Sequence, residues 1–182
     1  MTNRFTVDPA DEMLILTTEE GTPIGTATRK ECHEGAGKTH WALLAIIKRS
    51  NGTIIAARRS SKKSVFPNIW DASVATHVLK GDTPESAAKR ETKEELGMDV
   101  DFKVIGAYFY TDGDGDYSEN EYCTLLIGES DAIVDPLEDE VSEIEELTFA
   151  QLQEKIQADP PSYSKWLREA IKHYHTAIEQ IY

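Results

Sequence analysis

The apolar and polar positions of this chain separate into strand-like and helix-like stretches. Met13 to Thr17 and Ile24 to Ala27 flank a Glu19-Glu20-Gly21-Thr22-Pro23 turn, which predicts a hairpin between Glu12 and Thr28. After Arg29 comes C-H-E-G-A-G-K-T-H, which reads as a loop carrying His33 and His40. Trp41 to Lys48 is a nearly continuous apolar run, and Ser50-Asn51-Gly52 turns it into Thr53 to Ala57, a second hairpin. Strand patterns recur over Phe102 to Tyr110 and Tyr122 to Ile127, with turn chemistry between Thr111 and Asp116. An acidic strand follows Asp139-Glu140-Val141 and ends near Leu147. Phe149 to Gln157 and Ser164 to Ile181 read as helices, the second with Trp166, Ala170, Tyr174, Ala177 and Ile181 as its core-facing stripe. Strands set around two or three helices predict an α/β sandwich with a mixed sheet in one domain. Residues 1–28 would form an N-terminal hairpin extension and residues 160–182 a closing helix.

The most clearly punctuated element lies between Thr76 and Met98. Thr83 suits an N-cap, Pro84 the first helical position and Gly97 a left-handed C-cap. Glu91, Glu94 and Glu95 fall at i, i+3 and i+4, so three carboxylates share one helix face. Like charges at that spacing repel unless a cation lies among them, and oxygen-only ligands suit Mg²⁺ or Mn²⁺. A solvated acidic face is the plain alternative. Arg58 to Lys63 is the one dense basic stretch, placed just ahead of this region as a solvated loop or an anion-binding segment.

Composition narrows the partners. The chain has 182 residues, 40% of them hydrophobic, which is enough for one domain with a proper core. The start lacks the apolar stretch of a signal peptide and no run is long enough to cross a membrane, so a cytoplasmic protein is expected. Two cysteines, Cys32 and Cys123, make no disulfide framework. A formal net charge of −14 argues against nucleic acid or an anionic membrane as partner.

Arg90-Glu91, Glu94-Glu95 and Gly97, with Asp82 as the upstream acid, resemble the Nudix box, R-E-x-x-x-E-E-x-G. The box would occupy residues 76–98, with Thr76 where the motif opens on glycine. The resemblance to the Nudix superfamily implies an α/β/α sandwich with a catalytic loop-helix-loop. It also implies metal-dependent attack on a diphosphate linkage, with Glu91, Glu94 and Glu95 as metal ligands and catalytic groups. Nudix proteins often form dimers, so a homodimer is compatible with the resemblance.

A narrower resemblance, from about Ile24 to about Trp166, is to the isopentenyl-diphosphate isomerase branch. It rests on G-T-A-T-R-K-E-C-H, K-T-H-W, R-R-S-S-K-K-S-V-F-P-N-I-W, D-A-S-V-A-T-H, S-E-N-E-Y-C and Y-S-K-W. That likeness implies a metal held by His33, His40, His77, Glu119 and Glu121, with Zn²⁺ as an alternative to Mg²⁺ or Mn²⁺. It implies diphosphate binding by Arg29, Arg59 and Lys63, and a carbocation-stabilising face on Trp166, which reads equally well as a core anchor. Glu121 matches one of the isomerase's two acid/base groups; Ala75 stands where the other, a cysteine, would be.

Three readings follow. The leading one is a Nudix hydrolase of a small phosphorylated metabolite, because the helix keeps all its glutamates and Ala75 cannot move a proton. The second is an isopentenyl-diphosphate isomerase with another proton donor, Tyr108, Tyr110 or a metal-bound water. The third is a non-catalytic diphosphate-binding module.

Overall fold

A computed structural model describes residues 9–180. The parts of the expected N-terminal extension and C-terminal helix before residue 9 and after residue 180, Ile181 among them, lie outside the described residues.

Strands β1 (Met13–Thr17) and β2 (Pro23–Thr28) form the first hairpin, and a short helix α1 (Arg29–His33) follows. Next come β3 (His40–Lys48), β4 (Ile54–Arg59), β5 (Trp70–Asp71), β6 (Val74–His77) and helix α2 (Pro84–Leu96). The chain ends with β7 (Phe102–Asp114), β8 (Tyr117–Glu129), β9 (Val141–Leu147), α3 (Phe149–Ala158) and α4 (Lys165–Glu179). Strand β3 is the hub: it runs parallel to β8 and antiparallel to β6, while β8 pairs with β7 and β4 with β9.

Alternation along β3 explains the layering, since successive side chains leave a strand on opposite faces. Ala42, Leu44 and Ile46 pack with Leu152 of α3 and Trp166, Leu167 and Ala170 of α4. Leu43, Ala45 and Ile47 pack with Ala87, Ala88 and Leu96 of α2 on the other face. The result is a mixed, curled sheet between helices, the expected α/β/α sandwich.

Helix α2 begins and ends as its sequence predicts. The Thr83 hydroxyl accepts from Ser86 N–H, and Gly97 closes the helix at φ 68°. Leu137 N–H donates to Glu95 C=O and Asp135 N–H to Leu96 C=O, so the 135–137 segment covers the helix end.

Three expectations need correction. Arg29 to His33 is helical, not loop: Thr28 and Glu31 form a reciprocal capping box, T-x-x-E, that the sequence carries openly. Strands β7 and β8 run on through most of the 111–116 stretch, and only Gly115 and Asp116 turn. Helix α4 kinks at Tyr174 (φ −124°, ψ 21°), and beyond it Ile178 rather than Ala177 is buried in the core. Tyr174 is seated by its hydroxyl, which donates to Ala107 C=O at 2.6 Å and accepts from Ala107 N–H at 2.8 Å. A side chain at Gly106 would meet that ring at 2.2 Å, which accounts for the glycine beside the β7 bulge.

No helix among the described residues is long and apolar enough to cross a membrane.

Candidate active site

Strand register assembles the first constellation. Across the sheet His40 on β3 faces Glu121 on β8, Ala42 faces His77 on β6, and Tyr110 on β7 faces Glu121. On β8, Glu119 and Glu121 point inward together. The alternate side chains, Ser118 and Asn120, turn to the 34–39 loop, where Ser118 Oγ donates to Gly35 C=O at 2.5 Å and Asn120 Nδ2 to Ala36 C=O at 2.8 Å. Helix α1 adds His33, so one ligand atom from each of His33, His40, His77, Glu119 and Glu121 lies within 4.8 Å of all the others.

The tautomers are set from behind. His33 Nδ1 lies 2.7 Å from Arg29 C=O and His40 Nδ1 lies 2.8 Å from Lys38 C=O. A carbonyl only accepts, so Nδ1 carries the proton and each Nε2 lone pair faces the cluster. Burial and the neighbouring His40 push His33 down to about 4, and burial also holds His77 well below its usual range, so both rings are neutral at pH 7. Glu119 is pushed up by burial and by the charge of Glu121. His33 Nε2, His40 Nε2 and Glu119 Oε2 are buried without a hydrogen-bond partner. Buried polar atoms aimed at one point, and two crowded carboxylates, are what a divalent cation would satisfy. The donor set fits a metal. With three imidazoles it suits Mn²⁺ or Zn²⁺ at least as well as Mg²⁺.

The second constellation is the α2 carboxylate face. Arg90 bridges Asp82, at 2.9 Å, and Glu91. Burial, then Glu91, raises Glu95 well above the carboxylate range, which again favours a cation or a proton beside it.

One cavity of about 1050 Å³ joins the two constellations. His77, Glu119 and Glu121 line it with Glu91, Glu94 and Glu95, and so do Arg29, Arg59, Lys63, Tyr110, Ala75 and Trp166. Arg29 reaches the cavity while bound to Glu12 at 2.5 Å, and Lys63 while bound to Glu140 at 2.7 Å. The other two basic side chains of the 58–63 stretch, Arg58 and Lys62, pair with Glu143 and Asp139 and are not among the cavity-lining residues. Tyr110 donates its hydroxyl proton to Glu121, and burial with that neighbouring charge keeps the phenol protonated. Tyr108 instead donates to Trp166 C=O and is not among the cavity-lining residues.

The family model described as NUDIX domain matches residues 38–170. The chain belongs to the NUDIX family.

Among its curated relatives, the isopentenyl-diphosphate Delta-isomerase of Corynebacterium glutamicum is 32% identical, covering 86% of this chain and 87% of that protein. The Brevibacterium linens protein of the same name is 30% identical over 87% of this chain and 88% of its own length. The crystal structure of DR0079 from Deinococcus radiodurans matches with TM-score 0.65 and 26% identity, covering 81% of this chain and 90% of that one. A MutT protein from Methanosarcina mazei shares the fold at TM-score 0.63 and 16% identity over 76% of this chain and 94% of its own. The relatives mark this NUDIX protein as an enzyme, and NUDIX enzymes generally use divalent metals.

One site residue escaped the sequence reading, and another was named only among alternatives. Tyr110 was one of several candidate donors, and only the β7–β8 register places it on Glu121. Asp71 opens the D-A-S-V-A-T-H stretch, but the resemblance assigns it no role. It is nearly fully buried and accepts from Trp166 Nε1 at 2.6 Å, Ser164 Oγ at 2.9 Å and Ala72 N–H at 2.8 Å. Burial, opposed by Arg59, pushes its carboxyl from 3.8 up to about 6. The folded chain therefore holds this proton more tightly than the unfolded chain. The group favours folding at acid pH, and that contribution, about 3 kcal/mol, is lost as pH rises from about 4 through 6. Melting curves of the parent and of Asp71→Asn across this interval test the sign, since the variant should lack that part of the pH dependence.

Proposed function

We propose that this chain is a metal-dependent isomerase that interconverts isopentenyl and dimethylallyl diphosphate. The observation that carries the reading is that the three-histidine, two-glutamate cluster opens, through His77, Glu119 and Glu121, into one cavity with Arg59, Lys63 and Trp166. The names of the curated relatives support it over general diphosphate hydrolysis.

In this reading Arg59 and Lys63, with Arg29, hold the diphosphate, arginine by its fork and lysine as a point charge. One proton is added to the terminal alkene carbon, positive charge appears at the branched carbon, and one proton leaves the adjacent methylene. Nothing is lost from the substrate. The π face of Trp166 stabilises the transient positive charge. Tyr110 and Glu121 handle the proton, Tyr110 as a hydroxyl kept protonated and Glu121 as its hydrogen-bonded carboxylate. A divalent ion at His33, His40, His77, Glu119 and Glu121 supplies the positive charge that lets both carboxylates coexist. Ala75 has no proton to give, so addition and removal both fall to the Tyr110–Glu121 side.

Hydrolysis remains the second reading, on one specific observation: Glu91, Glu94 and Glu95 face the same cavity, with Arg90 tying Glu91 to Asp82. There, Mg²⁺ or Mn²⁺ at these glutamates would assist attack of water on phosphorus. Two assays on isopentenyl diphosphate separate the readings. Formation of an acid-labile allylic diphosphate without phosphate release is expected; phosphate release that Glu95→Gln abolishes would establish hydrolysis instead. The metal itself is tested without turnover. Adding Mn²⁺ or Zn²⁺ at about 100 times its Kd should contribute about 2.7 kcal/mol, raising the melting temperature by roughly 5–10 °C. His77→Ala should lose most of that rise.

A further inference from the structure

Asp71 does something to Trp166 that packing alone does not require. A carboxylate buried this deeply is disfavoured, and burial is the leading cause of its raised affinity for a proton. Its three donors come from two places: the indole of Trp166 and the hydroxyl of Ser164 that caps α4, both at the start of that helix, and the adjacent Ala72 amide. It therefore locks the tryptophan ring to β5 and to the start of α4.

The ring in turn meets Arg59. The Arg59 guanidinium carbon lies 5.5 Å from the Trp166 ring centroid. Its Nε donates to Phe66 C=O and its Nη2 to Val65 C=O, both at 3.0 Å. Phe66 closes the arrangement edge-to-face on Trp166, with centroids 5.5 Å apart. An indole N–H that donates to an ionised acceptor gains electron density in its ring, and a richer π face attracts a cation more strongly. The chain of contacts runs from Asp71 through Trp166 to Arg59, and from there into the cavity.

We propose that Asp71 is a positioning residue for diphosphate binding: acting through the Trp166 indole, it orients and electrostatically strengthens the platform that holds Arg59. This rests on Arg59 being a diphosphate clamp, as in both readings above. A buried charge that costs stability at neutral pH is then kept for what it does to the site.

The test is a double-mutant cycle of Asp71→Asn and Trp166→Phe, read by calorimetric binding of inorganic pyrophosphate to the Mn²⁺-loaded protein. Phenylalanine keeps an aromatic face and removes the N–H donor. Each single variant should weaken pyrophosphate binding roughly three- to tenfold, and the double variant no more than the weaker single. The indole N–H proton signal of Trp166, far downfield in the parent, should move upfield in Asp71→Asn. Unchanged binding in Asp71→Asn, multiplicative losses in the double variant, or an unmoved indole signal would each overturn the inference. A parent that binds no pyrophosphate would overturn the diphosphate reading and this inference with it.

Discussion

Glu121→Gln is expected to lower turnover at least about a thousandfold, the scale of losing one positioned acid/base group together with a metal ligand. Glu121 is the point at which the site's contacts converge. Its Oε1 lies 3.1 Å from His77 Nε2 and 3.3 Å from His40 Nε2, while its Oε2 accepts the Tyr110 hydroxyl. Burial disfavours its charge, but the facing imidazoles of His40 and His77 outweigh this and hold the carboxyl well below its usual range. Glutamine keeps the shape and removes the charge, so the fold should survive, as circular dichroism would show. Metal binding should weaken together with turnover. Turnover within tenfold of the parent would remove Glu121 from the chemistry.

Ala75→Cys is expected to raise isomerisation by roughly a hundredfold or more, within the usual range for adding a general acid or base. Ala75 lies two residues before His77 on β6, so both side chains leave the strand on one face and both line the cavity. Ala75 is half-buried and lines the large cavity, so a cysteine there has open space beside it. The thiol would add a second proton-handling group to the Tyr110–Glu121 pair. Initial rates of allylic product formation measure the gain. If the rate does not rise, the remaining groups are not arranged for isomerisation, and the hydrolytic reading takes precedence.

The parts of the fold that are written locally were legible in the sequence. Thr83, Pro84 and Gly97 mark the ends of α2 because capping depends on residues within one turn of each end. The nearly continuous apolar run of β3 matches a strand buried on both faces. Local pattern failed where a long-range contact decides the outcome. The kink falls at Tyr174, whose hydroxyl bonds Ala107 67 residues away, a contact the helical stripe cannot show. Helix α1 is a different failure, since Thr28 and Glu31 carry its capping box in plain view.

The site divides in the same way. The Glu91, Glu94 and Glu95 face is legible from i, i+3, i+4 spacing, and the histidine positions came from the family resemblance. The joining of these sets in one cavity depends on the pairing of β3 with β6 and β8, which no local spacing encodes. Asp71 shows the limit most clearly. Its partner Trp166 is 95 residues distant, and neither residue type signals the other. The structure also turned the weighing of function. From sequence, the intact glutamate helix and Ala75 favoured hydrolysis. The buried cluster and the isomerase-named relatives favour isomerisation.

The measurement that bears most directly on this account is proton and phosphorus NMR of the Mn²⁺- or Zn²⁺-treated protein, run as a stopped reaction with isopentenyl diphosphate in heavy water. The account predicts dimethylallyl diphosphate carrying deuterium in a methyl group, with both phosphorus atoms still on the product and the conversion abolished by Glu121→Gln. Release of phosphate, or isopentenyl diphosphate recovered unchanged and free of deuterium, would contradict it.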